Sequence, residues 1–86
     1  MDYALSFKKS VARDLRAIPR RDVQRILKRI EALRTDPRPA NCEKLSGQER
    51  YRVRQGVYRI VYEIVDERLV VLVIKVAHRK QVYRKT

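Results

Sequence analysis

The sequence predicts an α+β fold in which an N-terminal strand and a helical hairpin pack on a small, mostly antiparallel sheet. Three observations predict it. Apolar residues recur at period two at the N-terminus and again through residues 50–76. Between those segments they recur at helical spacing. The breaks in the C-terminal half are only two or three residues long, which suits hairpins and not crossover connections.

Tyr3, Leu5 and Phe7 alternate with Asp2, Ala4 and Ser6, the pattern of a half-buried strand. Val11, Leu15 and Ile18 then follow at helical spacing until Pro19, which suits the first turn of a second helix because its missing N–H has no partner to lose there. In that second helix Val23, Ile26, Leu27, Ile30 and Leu33 form one apolar stripe, Arg21, Arg25, Lys28 and Arg29 take the other faces, and Asp36-Pro37 stops it. Residues 36–49, with two prolines and a glycine, read as a loop. Strands over 50–54, 57–65 and 69–76, joined at Gln55-Gly56 and at Asp66-Glu67-Arg68, form an antiparallel meander. The last strand is apolar on both faces, which marks it as central. Residues 1–86 are expected to form a single domain.

Charge is the next constraint. The chain carries 22 Lys+Arg against 10 Asp+Glu, a formal net charge of +12, yet 44% of its residues are hydrophobic. A packed domain with this excess charge repels itself, and an anionic partner such as RNA, DNA or an acidic protein relieves the repulsion. Fifteen of the basic residues are Arg, the side chain suited to forked phosphate contacts. Cys42 and His78 are the only residues of their kinds, so neither an internal disulfide nor a structural zinc site is expected, and no cofactor is expected. The N-terminus lacks a basic-then-apolar signal layout, and the longest apolar run, 69–74, is too short for a bilayer. A cytoplasmic protein without membrane partners is expected.

Strand alternation places Arg50, Arg52 and Arg54 on one face, with Tyr51 and Val53 on the other. On the next strand Tyr58, Ile60, Tyr62 and Ile64 share a face, and Val57, Arg59, Val61, Glu63 and Val65 share the opposite one. Two readings of the arginines stand side by side: solvated or paired with Glu63 and nearby carboxylates, or held as a shaped site for a phosphate. If residues 77–83 form a helical turn, Arg79 and Tyr83 share a face, either as a base-stacking ring beside a phosphate-holding cation or as a ring packed on the sheet edge. His78, whose ordinary pKa lies near neutrality, is either structural or a proton-transfer group at the lip of the site.

The run Tyr51-Arg52-Val53-Arg54, then Gly56-Val57-Tyr58-Arg59-Ile60-Val61-Tyr62, an Asp66-Glu67 turn, an apolar strand and His78-Arg79-x-x-Val82-Tyr83 resembles the RelE/ParE toxin superfamily. Within it, the chain looks most like the RelE branch of ribosome-dependent mRNA interferases. Lys44-Leu45-Ser46-Gly47 resembles the family's K-L-x-G segment, so the resemblance covers nearly the whole chain. It implies a RelE-like fold and the toxin of a type II toxin–antitoxin system, an endoribonuclease that cleaves mRNA in the ribosomal A site by 2′-hydroxyl attack without a metal. It also implies an acidic cognate antitoxin from a neighbouring gene, with a toxin–antitoxin hetero-oligomer as the assembly. By motif, the family's catalytic positions fall on Arg52, Arg54, Arg59, Arg79 and Tyr83. One departure is that RelE-type toxins carry Lys where this chain has Arg52 and Arg54; Arg stabilises phosphate charge but is a poor base. Either the base role falls to another group, with Tyr83 and His78 as the local candidates, or the mechanism relies on positioning and charge.

Two other function classes share these features. A ParE-like toxin inhibits DNA gyrase by binding it, without RNA chemistry. A plain nucleic-acid-binding module shows salt-dependent binding and no cleavage.

Overall fold

The computed structural model describes residues 2–45 and 49–82. The N-terminal alternation becomes strand β1 (Ala4–Phe7), and the helical hairpin becomes α1 (Lys9–Arg16) and α2 (Arg20–Ala32). There follow β2 (Glu43–Leu45), β3 (Arg50–Gln55), β4 (Tyr58–Val65), β5 (Val70–His78) and a one-turn helix, α3 (Arg79–Val82). The strands make one sheet in the order β1-β5-β4-β3-β2. β1 pairs with β5 in parallel and every other pair is antiparallel. β5 is therefore interior, as its two apolar faces require.

One face of the sheet carries the core. Tyr51 and Val53 from β3, Ile60, Tyr62 and Ile64 from β4, and Val71, Val73 and Val76 from β5 lie under Ile26, Ile30 and Leu33 of the second helical segment and Val11 of α1. Each fully buried aliphatic side chain contributes about 1.5–3 kcal/mol. The Tyr62 hydroxyl, inside this layer, donates to the Pro37 carbonyl at 2.7 Å, so the chain leaving α2 is tied to the sheet centre.

Several expectations need correction. The segment 36–49 holds a strand, β2, whose residues pair Glu43 with Arg52, Lys44 with Tyr51 and Leu45 with Arg50. Three residues are too few for alternation to register. Leu27 is 41% exposed while Ile26 and Ile30 are sealed, because a step of about 100° carries it past the edge of the buried stripe. Pro19 sits at the N-cap with φ −54°, one residue before the first helical position, and its carbonyl accepts the N–H groups of Asp22 and Val23. The turn before β4 falls at Gly56-Val57, where Gly56 takes φ +62° and supplies the left-handed step of a tight hairpin. Ala77 and His78 lie in β5 instead of in a helical turn.

β5 also has an irregularity that matters for the site. Val61 pairs with Lys75 but Tyr62 pairs with Val73, so Ile74 is an extra residue, a bulge that reverses which face the following side chains occupy. β1 covers β5 only as far as Val73. Past that point α1 takes over: the Asp14 carboxylate accepts the Val76 N–H at 3.1 Å and lies 3.6 Å from Lys75 Nζ.

The far end of the sheet is fastened by Arg38. Its guanidinium donates to Asp66 at 2.8 Å, to Glu49 at 3.3 Å and to the Tyr51 hydroxyl at 3.0 Å, while the Tyr3 hydroxyl donates to Asp66 at 2.7 Å. This cation joins loop, β1, β3 and the β4–β5 turn, and so has a structural occupation.

Candidate functional site

The helices leave the second face of the sheet uncovered, and the basic side chains of β3 and β4 stand on it. The ladder pairs Arg50 with Glu63, Arg52 with Val61 and Arg54 with Arg59, and Arg59 in turn faces Ala77 of β5. Both readings of the arginines find a place. Arg50 Nε donates to Glu63 at 3.1 Å, and Arg52 gives both Nε (3.1 Å) and Nη2 to one oxygen of Glu43. Arg54 is exposed and makes no ion pair among the described residues. Arg59 is only 3% exposed. It cannot shed its proton, so a fixed positive charge is built into the sheet directly across from Arg54.

Arg79 enters this end of the face through its backbone. Its N–H donates to the Val57 carbonyl at 2.8 Å, which pins the start of α3 beside the β3–β4 turn, one residue past Ala77-His78. The Arg79 side chain is exposed. Tyr83 lies outside the described residues, as do Ser46 and Gly47 of the K-L-x-G segment.

His78 is not at the lip of this site. The bulge at Ile74 turns it to the helix-covered face, opposite Tyr58 in the ladder, where the two rings meet edge-on at 5.7 Å and 81°. Its Nδ1 accepts the Lys80 N–H at 3.2 Å. Without the bulge the strand's alternation would have carried His78 onto the arginine face. The uninterrupted apolar run of residues 69–74 conceals that step.

The sequence reading missed Glu43. Through β2 it joins the same face, and with Asn41, Arg52 and Arg54 it lines a solvent-open cavity of about 340 Å³. The hydrogen bond from Arg52 holds its carboxyl below the usual carboxylate range, helped by the charge of Arg52 and then of Arg54 and Arg59. No sequence signal marked it, since a three-residue strand leaves no alternation to read.

Comparison with known proteins gives a consistent result. The family described as ParE toxin of type II toxin–antitoxin system, parDE, matches residues 5–83. Toxin RelG of Mycobacterium tuberculosis is 32% identical over 91 residues, covering 99% of this chain and 100% of RelG. A chain in the crystal structure of the archaeal RelE–RelB complex from Pyrococcus horikoshii superposes with a TM-score of 0.82 at 28% identity, over 92% of this chain and 97% of that one. The isolated RelE toxin of Escherichia coli gives 0.76 at 30% identity, over 94% and 90%.

Proposed function

The chain belongs to the ParE toxin family of type II toxin–antitoxin systems, within the RelE/ParE superfamily, and from that premise we propose that it is a RelE-like mRNA interferase. In this reading it cleaves mRNA in the ribosomal A site by attack of a ribose 2′-hydroxyl on the adjacent phosphate, with no metal taking part. The observation that carries the proposal is the cross-strand pair Arg54–Arg59, flanked by Arg52 on the same face and by the pinned start of α3 at Arg79.

Fixed cations aimed at a phosphate do the work here. Arg79 stabilises the charge that grows on the pentavalent phosphate, where pre-positioned donors are worth most, and the buried Arg59 adds a fixed positive field across from Arg54. Arg54 orients the scissile group, as Arg forks match phosphate oxygens in pairs, while Arg52, whose Nε and Nη2 are held by Glu43, adds its charge to the face. Tyr83 stacks on a neighbouring base. His78 receives no role, since it occupies the opposite face.

The partners follow. An acidic antitoxin that masks this face offsets the +12 charge, and the similarity to a chain of a RelE–RelB complex supports a hetero-oligomer of that kind. The site of action is the translating ribosome and hence the cytoplasm; among the described residues no helix is long and apolar enough to cross a membrane. The same reading takes residues 1–86 as a single toxin domain.

The ParE description of the matching family supports a second reading, gyrase inhibition by binding without cleavage. Brief induction of the isolated toxin, with mRNA 5′ ends mapped by primer extension, separates the two. Cuts confined to translated frames and lost in Arg59→Ala support the interferase. Growth arrest with intact mRNA and failed gyrase supercoiling supports the second reading.

A further inference from the structure

Attack by a 2′-hydroxyl needs a group that takes its proton. Arg52, Arg54, Arg59 and Arg79 cannot, because guanidinium stays protonated in proteins. His78 is on the other face of the sheet, Lys75 lies 3.6 Å from Asp14 of α1, and Tyr83 is outside the described residues. Among the described residues, two carboxylates stand on the arginine face in strands β2 and β4, Glu43 and Glu63. Glu63 belongs to the Arg50 row of the ladder, two same-face rows from Arg54–Arg59, and is taken up by Arg50. Glu43 belongs to the Arg52 row, immediately beside Arg54–Arg59.

We propose that Glu43 is the general base of the cleavage reaction, an inference that rests on the reading of this site as an RNA-cleaving one. Both hydrogen bonds from Arg52 go to Oε1, which leaves Oε2 without a partner among the described residues. The side chain is 57% exposed and lines the same cavity as Arg54. Same-face rows are about 7 Å apart, a gap that a glutamate side chain and a ribose span together. Arg52 therefore acts as a positioning residue that fixes the carboxylate's plane. The charged groups that face Glu43 are Arg52 and Arg54 of β3 and Arg59 of β4. They keep it ionised but also weaken it as a base, so its placement beside the Arg54–Arg59 row carries the inference and not its proton affinity.

The step balances without any further reactant. The 2′-hydroxyl proton passes to Glu43 Oε2 as the 2′-oxygen bonds to phosphorus. The bond from phosphorus to the 5′-oxygen breaks, its electron pair stays on that oxygen, and solvent water supplies the proton it takes up. The products are a 2′,3′-cyclic phosphate and a 5′-hydroxyl, and Glu43 returns its proton to water.

The test is single-turnover cleavage of mRNA in programmed ribosomes by the wild-type toxin, E43Q, and E43A with and without added formate. The expected result is cleavage about 10²–10³-fold slower in E43Q with binding retained, loss of the acid limb of the pH–rate profile, and partial recovery of E43A in formate. Wild-type cutting with E43Q within about threefold of it overturns the inference alone and leaves Glu43 as a neutralising partner of Arg52. A slow E43A that formate does not restore, with a lowered melting temperature, also overturns it, in favour of a structural role. No cutting by the wild-type toxin overturns the proposed function and this inference together.

Discussion

Arg54 and Arg59 face each other across β3 and β4, one exposed and the other sealed in the sheet. Like charges directly opposite weaken a ladder, so a protein that keeps such a pair holds it against its own stability. Arg54→Gln is therefore expected to raise the melting temperature by about 1–3 °C at low salt while slowing cleavage. At high salt the gain shrinks, because ions screen exposed charges over a few ångströms. Thermal melts at two ionic strengths check this; an unchanged or lowered melting temperature at low salt counts against charge strain at the pair.

The bulge in β5 depends on a support 62 residues away in sequence. Asp14 accepts the Val76 N–H that β1 no longer reaches. Asp14→Ala leaves that partly buried N–H without its acceptor and is expected to cost about 1–3 kcal/mol. Asp14→Asn keeps an acceptor oxygen, loses only the exposed contact to Lys75, and is expected to cost less than half as much. Urea denaturation of both variants separates them, and equal losses would place the stabilisation in the charge instead of the hydrogen bond.

Acid should loosen the fold from the Arg38 end. Hydrogen bonds from Arg38, then from Tyr3, hold the Asp66 carboxyl below its usual range; the Tyr51 hydroxyl, then Lys44, do the same for Glu49. A carboxyl with a depressed folded-state pKa stabilises above its unfolded value, about 4, and that stabilisation drains away as pH falls through the folded value. The melting temperature is expected to be level from pH 7 to about 5 and to fall below about 4. In Asp66→Asn it starts lower at pH 7 and the acid limb is shallower. Both carboxylates are exposed, so the effect is modest and salt-sensitive. An acid limb unaltered by Asp66→Asn would assign the loss to other groups.

Periodicity located the face of almost every long-element residue, because a buried side and a solvated side leave a two- or 3.6-residue trace in composition. Arg50, Arg52, Arg54 and Arg59 were legible for that reason. What was not legible lies where the trace is too short or too uniform. β2 has three residues and no room for alternation, so Glu43 went unseen. The run around Ile74 is apolar throughout, and no pattern within it marks the bulge that sends His78 to the far face. Leu27 failed differently: the helix was right, but the stripe is narrower than a list of apolar residues suggests. Pairings such as Arg38 with Asp66 join distant segments, and nothing local announces them.

Arg50 and Arg52 offer the sharpest contrast on the site face. They are two residues apart, share a face, and each holds a carboxylate, Glu63 and Glu43. Only Arg52 borders the Arg54–Arg59 row. A shaped phosphate site therefore predicts that Arg52→Ala lowers the slope of log affinity against log salt for single-stranded RNA by about 0.7 and slows cleavage, while Arg50→Ala changes neither measurably. A diffuse basic face predicts equal loss from either, since screened attraction does not distinguish neighbours one row apart. Binding titrations between about 50 and about 200 mM salt, run beside cleavage assays, decide between them. Removing either arginine takes away one positive charge and leaves one carboxylate uncompensated, Glu63 or Glu43, so simple electrostatics works equally against both variants. If Arg50→Ala nevertheless binds and cuts like the wild type, position in the ladder and not total charge is what the RNA reads.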